Sequence, residues 1–479
     1  MRNRILNTDN VRKTINYLKK NGFAGTIYAA AERVQEERAA DYRYLPPDAK
    51  ELQRQRQESQ DYPWLFSIVT PAYETKEEHL REMIASVQAQ SYPNWELIIV
   101  DAGESDKVER TVRRIIHDTG DLRIRYSRLS GNGGIAENTN AGIALAKGDY
   151  IALLDHDDFI THDALYYMAR SVQQGRQENL LPALLYSDED KYDEGAGIFV
   201  SPHVKQKFNL DLIMSNNYIC HFLAMEAGLI KSLLLRGEYD GAQDYDLVLR
   251  AVDSLWPRDS LLPDTARIRH IPRVLYHWRS HRDSTALNTG SKTYAYEAGR
   301  RALSDFCEKR GFQARVEHNL HLGFYNVYYE PDILSVRKDV GAVGGRLLDG
   351  HGRVFAGAYD ENGSCLFEGL PARFTGGSTH RATLVQDCAA VDIRFVRLRE
   401  ELWPLFSEVT GLSYRERSLY VKTGGRKKEI RIADVEGLSC DEAGYRKLSM
   451  ALGTAVQDAG YLVVWDPSLS CEAGKRRRP

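Results

Sequence analysis

The chain has 479 residues, of which 43% are hydrophobic and 27% charged, with a net charge of -3. That length exceeds what one ordinary core organises and fits two compact units with an appendage. The near-neutral balance argues against a disordered chain, and no nucleic acid is expected as a partner.

Cys220, Cys307, Cys365, Cys388, Cys440 and Cys471 lie far apart with no C-x-x-C pair, so neither a zinc cluster nor a disulfide framework is suggested and a reducing cytosol fits best. The opening MRNRILNTDNVRKTINYLKK lacks the apolar core of a secretory signal. No window supplies the roughly 18 to 20 apolar residues of a spanning helix. The expectation is a cytoplasmic protein, with at most peripheral association at the cytoplasmic face of a membrane.

In chain order, Val11, Ile15 and Leu18 share one helical face between Asp9 as a start signal and Gly22 as a stop, and a second helix is predicted from Thr26 through Ala39. The polar segment YLPPDAKELQRQRQESQDYPW, with Pro46, Pro47 and Pro63, reads as a short helix and linker with a solvated face. Residues 1–62 are therefore expected to be a helical extension.

From Leu65 short apolar runs alternate with amphipathic helices: LFSIVT, WELIIV, RIRYSRL and DYIALL. Leu80, Ile84 and Val87 mark one intervening helix and Ile135–Ala146 another. This pattern predicts an α/β unit with a doubly wound, mostly parallel sheet covered by helices on both faces, spanning 63–320. Beyond residue 320 strand-like pieces (VGAVGGRLL, AVDIRFVRL, YLVVW) stand among Gly-rich turns, and 321–479 is read as a further domain.

Ligands of open parallel sheets bind beyond the carboxyl ends of the strands. Polar residues follow each run: Pro71, Tyr73 and Glu74 after the first, Asp101 to Ser105 after the second, Gly131 to Gly134 after the third, and Asp155-His156-Asp157-Asp158 after the fourth. Asp101 is suited to accept the imide N–H of a uracil or thymine, and Tyr73 to pack against that base. The Gly-rich turn lets backbone approach a ligand and opens a helix that carries Asn140. Asp155 and Asp157, one residue apart at a strand end, are suited to grip Mg2+ or Mn2+ together with diphosphate oxygens.

The strings FSIVTPAYE, WELIIVDAGESD, NGGIAENTNAGIALAKGDYIALLDHDD, LLYSDEDK, GAQDYDLVLRA and IPRVLYHWR resemble, in order and spacing, the family 2 glycosyltransferases. The likeness is closest to bacterial members that build surface polysaccharides, rhamnosyl-transferring ones included. It implies the GT-A fold, a nucleotide-sugar donor (a UDP- or dTDP-sugar), a glycan or lipid-linked glycan acceptor, a divalent metal and inverting transfer.

Carried over by position, Pro71, Tyr73 and Asp101 would hold the nucleoside, and Asn132, Gly134 and Asn140 would shape the pyrophosphate side. Asp155 and Asp157 match the D-x-D element, Asp155 toward ribose or sugar and Asp157 as the firmer metal ligand. Asp244 matches the catalytic base, with Gln243 where the family more often has an acid and Asp246 as the rival base. Arg250 would either steady the diphosphate or pair with Asp246, and His277 either matches a histidine that some relatives turn toward the metal or diphosphate or is a plain core or surface histidine. Asp188, Glu189 and Asp190 would line the acceptor cleft or form a solvated acidic turn.

The strings VGAVGGRLLDGHGRVFAGA and AGYLVVWDPSLS resemble parts of the latter half of a second such unit that lacks counterparts of the TPAY, VDAG and DHDD loops. A degenerate, non-catalytic accessory domain is expected, which would buttress the catalytic unit or hold the acceptor. Its basic stretches GGRKKEIR and KRRRP read as solvated ends or as contacts to an anionic glycan or membrane surface. The rival reading of the whole chain is a catalytically inactive scaffold that binds nucleotide-sugar or glycan. A sugar nucleotidyltransferase would want a Gly-rich first loop with Arg and Lys, which VTPAYETKEEH does not supply.

Overall fold

The computed structural model describes residues 42–280, 293–423 and 426–472. The helices predicted around Val11 and over Thr26–Ala39, and the tail KRRRP, lie outside the described residues. Two compact units emerge, one of Tyr42–Asn209 with Asn216–His318, the other of Leu210–Ser215 with the described residues from Asn319 onward.

In the first unit the polar segment after Pro47 forms α1 (Ala49–Glu58), started by Asp48, whose carboxylate accepts the Glu51 N–H at 2.8 Å. Strands β1 (Phe66–Ala72), β2 (Trp95–Asp101), β3 (Ile124–Arg128) and β4 (Tyr150–Leu153) alternate with α2 (Glu77–Gln88), α3 (Lys107–Thr119) and α4 (Ile135–Leu145). There follow β5 (Phe159–Ile160), α5 (Ala164–Gln177), β6 (Leu184–Asp193), β7 (Ile198–His203), β8 (Leu223–Glu226), α6 (Ala227–Leu233), α7 (Gln243–Ser254), β9 (Ile268–Ser280) and α8 (Thr293–Arg310).

The nine-stranded sheet runs in the order β3-β2-β1-β4-β8-β6-β9-β5, with β7 paired to β6. The β1 to β4 half is parallel, as the continuous apolar runs predict, with Phe66 opposite Trp95 and Tyr150. Strand β8 lies antiparallel to both β4 and β6, and β9 runs parallel to β6.

Period-two alternation divides the apolar side chains between the two faces of the sheet. Phe66, Ile68, Leu97 and Ile99 join Leu80 and Ile84 of α2, Val112 of α3 and Val172 of α5 in one buried cluster. On the opposite face α4 approaches so closely that a Cβ on Gly142 would stand 2.5 Å from Val69 Cγ1. Helices thus cover both faces, and the loops beyond the carboxyl ends of β1 to β4 form one rim. Because Leu153 pairs with Leu223, and Leu223 with Tyr186, the approach to β8 and the continuation of β6 past Tyr186 reach the same rim.

The second unit centres on β10 (Val340–Leu348), followed by β11 (Val354–Ala356), β12 (Gln386–Asp387), β13 (Val396–Leu398), α9 (Trp403–Thr410), β14 (Glu416–Thr423), β15 (Arg426–Ala433), α10 (Glu442–Asp458) and β16 (Leu462–Glu472). Its seven-stranded sheet runs β11-β10-β16-β14-β15, with β13 on β10 and β12 on β16. Trp465, Phe406, Ile393, Leu452 and Val456 fill its core. Arg337, fully buried, holds this unit's short segment Leu210–Ser215 by pairing with Asp211 at 3.0 Å and Asp339 at 2.6 Å. Removing both carboxylates would leave a buried charge uncompensated.

Candidate active site

The loop after β1 is tied to the loop after β2. Glu74, in a left-handed conformation at φ 47°, accepts the Ser105 N–H and hydroxyl, both at 2.7 Å. These bonds hold its carboxyl below the usual range although the group stays exposed. Tyr73 beside it is 46% exposed, an aromatic face open at the rim.

Asp101 is fully buried at the end of β2, accepting the Gly103 N–H and the Tyr126 hydroxyl, each at 2.8 Å, with Arg128 3.6 Å away. Burial, reinforced by Asp101, pushes the Tyr126 phenol up to about 12.

In the Gly-rich turn, Asn132 Oδ1 accepts from the Gly134 N–H at 3.1 Å and from the Asn138 amide at 2.9 Å. Gly134 precedes α4 at φ 93°, where a side chain is strained, and a Cβ there would meet Asp240 Oδ2 at 2.4 Å. The Asp240 carboxylate itself accepts the Ala136 N–H at 3.2 Å. Gly134→Ala is expected to lower the unfolding free energy by about 1–3 kcal/mol, read as a lower urea midpoint. Asn140, expected beside the pyrophosphate, spends both ends of its amide on Leu235, donating to its carbonyl and accepting its N–H, each at 2.8 Å.

The acidic loop after β4 divides its labour. Asp158 is buried, accepting the Tyr276 hydroxyl at 2.5 Å and the Arg279 N–H at 2.7 Å. Burial, then the charges of Asp157 and Asp155, push it well above the ordinary carboxylate range. Asp155 keeps 48% of its side chain open. Desolvation pushes its carboxyl up, with Asp157 and Asp244 adding to the rise and His221, 4.0 Å away, opposing it. Asp157 and Asp244 therefore each lie within electrostatic reach of Asp155.

The two carboxylates in the first turn of α7 differ sharply. Asp246 is 1% exposed and clamped by Arg236 Nε at 3.1 Å and Arg250 Nε at 2.8 Å. Arg250 also donates to the Leu233 and Leu234 carbonyls at 2.7 and 2.6 Å, so its guanidinium is committed to Asp246 and the end of α6. Asp244 instead accepts from the Asn217 amide at 2.9 Å.

SDEDK is a buried stretch of β6 and not a solvated turn. Each acid meets a histidine: Asp188 meets His270 at 2.7 Å, Asp190 meets His277 at 2.6 Å, and Glu189 meets His221 at 3.1 Å and His203 at 3.2 Å. Burial would raise Glu189, but Lys205 at 3.7 Å and the two imidazoles hold it well below the ordinary range. His277, expected to face the metal or diphosphate, is 2% exposed and packed among Tyr44, Phe159 and Phe199. Among the described residues no group of three or more His, Cys, Asp or Glu side chains is arranged to hold a metal ion.

Sequence reasoning missed Asn217, His221 and Lys205. The signal it followed was the carboxyl end of a parallel strand, whereas Asn217 and His221 stand before the amino end of β8, which reaches the rim because β8 runs antiparallel, and Lys205 follows β7.

A mixed sheet with helices on both faces and loops gathered at one rim is the architecture of the GT-A class. Residues 67–232 match the family described as "Glycosyl transferase family 2" and form a domain of that family.

An uncharacterized protein of Sinorhizobium fredii, y4gI, is 39% identical over 243 residues, which cover 50% of this chain and 25% of that protein. The O-antigen biosynthesis protein RfbC of Myxococcus xanthus is 34% identical over 254 residues, covering 53% and 19%. The colanic acid biosynthesis glycosyl transferase WcaA of Escherichia coli, a putative assignment in its own name, is 30% identical over 39% of this chain and 66% of its own length. The matched region thus spans about a quarter or less of the first two relatives. Among solved structures, S. aureus TarS 1-349 in complex with UDP aligns with 50% of this chain and 65% of its own, at 18% identity and a TM-score of 0.37. No described helix is long and apolar enough to cross a membrane.

Proposed function

We propose that the unit Tyr42–His318 transfers a sugar from a UDP- or dTDP-sugar to a hydroxyl of a glycan or lipid-linked glycan, with inversion, in the building of a bacterial surface polysaccharide. The observation that carries this reading is the convergence of Asp155, Asp157 and Asp244 on one rim while Asp246 is withdrawn into an arginine clamp. The names of the relatives in O-antigen and colanic acid biosynthesis support the polysaccharide setting.

In this reading Tyr73 and Pro71 flank the base, Asp101 accepts its imide N–H, and the turn at Asn132–Gly134 lies along the diphosphate. Asp244 takes the acceptor hydroxyl's proton as the oxygen attacks the anomeric carbon from the face opposite the diphosphate. Arg250 serves by holding Asp246.

The donor set fits a divalent metal, Mg2+ or Mn2+. Asp155 and Asp157 are hard oxygen ligands whose mutual repulsion a cation would relieve, and two protein ligands leave positions for phosphate oxygens. When bound, such an ion neutralises the charge that develops on the leaving diphosphate. Incubation with a panel of UDP- and dTDP-sugars, with and without chelator and read by mass spectrometry, tests the reading. Nucleoside diphosphate released from one donor and suppressed by chelator is the expected result; binding without turnover of any donor would favour the inactive scaffold.

The second unit is read as the acceptor-side half of another such domain, now non-catalytic. In the first unit β6 lies antiparallel to β8 and parallel to β9, with α7 preceding β9; in the second, β10 lies antiparallel to β13 and parallel to β16, with α10 preceding β16. Leu185 pairs with Ala224 and Arg269 as Val343 pairs with Arg397 and Val464. On this register Arg394 takes the place of His221. Its guanidinium forks onto Glu442, at the start of α10, at 2.7 and 2.8 Å and also binds Asp392, filling the place where a base would act.

One nucleoside diphosphate per chain is therefore expected by calorimetry. Glu442→Gln is expected to leave donor turnover within about twofold, since surface changes away from a site are usually worth under 0.5 kcal/mol.

A further inference from the structure

The segment Asn216–Phe222 is held rigidly although it has no regular structure. Tyr218 and Ile219 are buried, Lys205 Nζ donates to the Ile219 carbonyl at 3.0 Å, and Glu189 accepts the His221 N–H at 2.6 Å. Lys205 and Glu189 are themselves buried and 3.7 Å apart, so the anchor is an ion pair inside the fold. Asn217 projects from this anchored segment to Asp244.

The direction of the Asn217 amide follows from its partner. Its N–H donates to Asp244 Oδ2 at 2.9 Å, whereas the flipped amide would set oxygen against carboxylate oxygen. Asn217 Oδ1 is buried with no hydrogen-bond partner among the described residues, so its one bond there is the one to Asp244. Ala242, not Asp244, stands at the N-cap of α7, so the Asp244 carboxylate is not needed to start its own helix.

We infer that Asn217 is the positioning residue of Asp244, occupying Oδ2 so that Oδ1 is presented to the incoming hydroxyl. The inference rests on Asp244 being the base. The geometry supplies what that role needs: a carboxylate with one oxygen tethered can rotate little about its Cβ–Cγ bond. The tether springs from a segment fixed independently of α7, by Glu189 and Lys205. Losing it would let the carboxylate swing away from the line of attack, and small misplacements of reacting groups cost about a hundredfold.

The test uses the full chain and the UDP- or dTDP-sugar found to be turned over, reading nucleoside diphosphate release, donor affinity by calorimetry and melting temperature. Asn217→Ala is expected to lower turnover about 10- to 100-fold with donor affinity unchanged. Asn217→Leu, which restores volume without a donor, is expected to be as poor as Ala, and Asn217→Ser, which keeps a short donor, to lie between Ala and wild type. In the Asp244→Asn background Asn217→Ala is expected to add no further loss, since the two act as one unit.

Leu restoring turnover above Ala would make the role one of packing and overturn the inference. So would turnover of Asn217→Ala within about twofold of wild type while Asp244→Asn is inactive, an outcome that leaves Asp244 as the base. Wild-type turnover in Asp244→Asn would instead remove the base assignment underneath.

Discussion

Replacing Asp244 by Asn is expected to lower turnover about 10²- to 10⁴-fold while leaving the affinity for UDP or dTDP nearly unchanged, because a positioned general base contributes on that order. Asn keeps the shape and can still meet Asn217 but cannot take a proton. The control is Asp246→Asn, two residues along the same turn. Asp246 is buried between Arg236 and Arg250, so its loss leaves two guanidinium groups without their counter-charge. Breaking such a buried pair costs about 3–5 kcal/mol, so this variant is expected to lose stability in a denaturant titration before it loses chemistry. Equal turnover losses at unchanged stability in both variants would argue that the base role is not confined to Asp244.

The second large effect is expected at Asp157. Asp157→Asn should raise the Mn2+ concentration needed for half-maximal turnover at least about tenfold, and chelator should bring the wild type down to a similar floor, since a Lewis-acidic ion supplies several kcal/mol to a departing diphosphate. The physical reason is the charge at the rim. Asp157 and Asp244 already oppose the ionisation of Asp155, and a nucleoside diphosphate brings further negative charge. Chelator-insensitive turnover by the wild type would remove the metal from the proposal and leave the carboxylates needing another role. Asp155→Asn serves as the companion variant, expected to weaken donor binding as well as metal response.

Much of the rim was legible because parallel strands announce themselves. Apolar runs covered on both faces read continuously, and the polar residues that follow, Tyr73, Asp101, Asn132 and Asp155, can be placed at strand ends without coordinates. The Leu80, Ile84 and Val87 stripe likewise marks α2 from its spacing alone, and all three are buried. Less legible was how polar side chains are spent. Asn140 and Arg250 are the right types for a phosphate site, yet backbone groups of Leu235, Leu233 and Leu234 take them up. Those partners come from the end of α6 and the segment after it, about a hundred residues from Asn140.

The sequence by itself determined the parallel half of the sheet, the loops that gather at its edge and the carboxylates suited to a cation and a proton, since local periodicity and strand-end chemistry are written in contiguous residues. Only the tertiary structure clamped Asp246 between arginines and left Asp244 with Asn217, buried Asp188, Glu189 and Asp190 against histidines, and brought Asn217 and His221 to the rim. Those outcomes depend on an antiparallel strand and on partners distant in the chain, and neither leaves a periodic trace in the sequence.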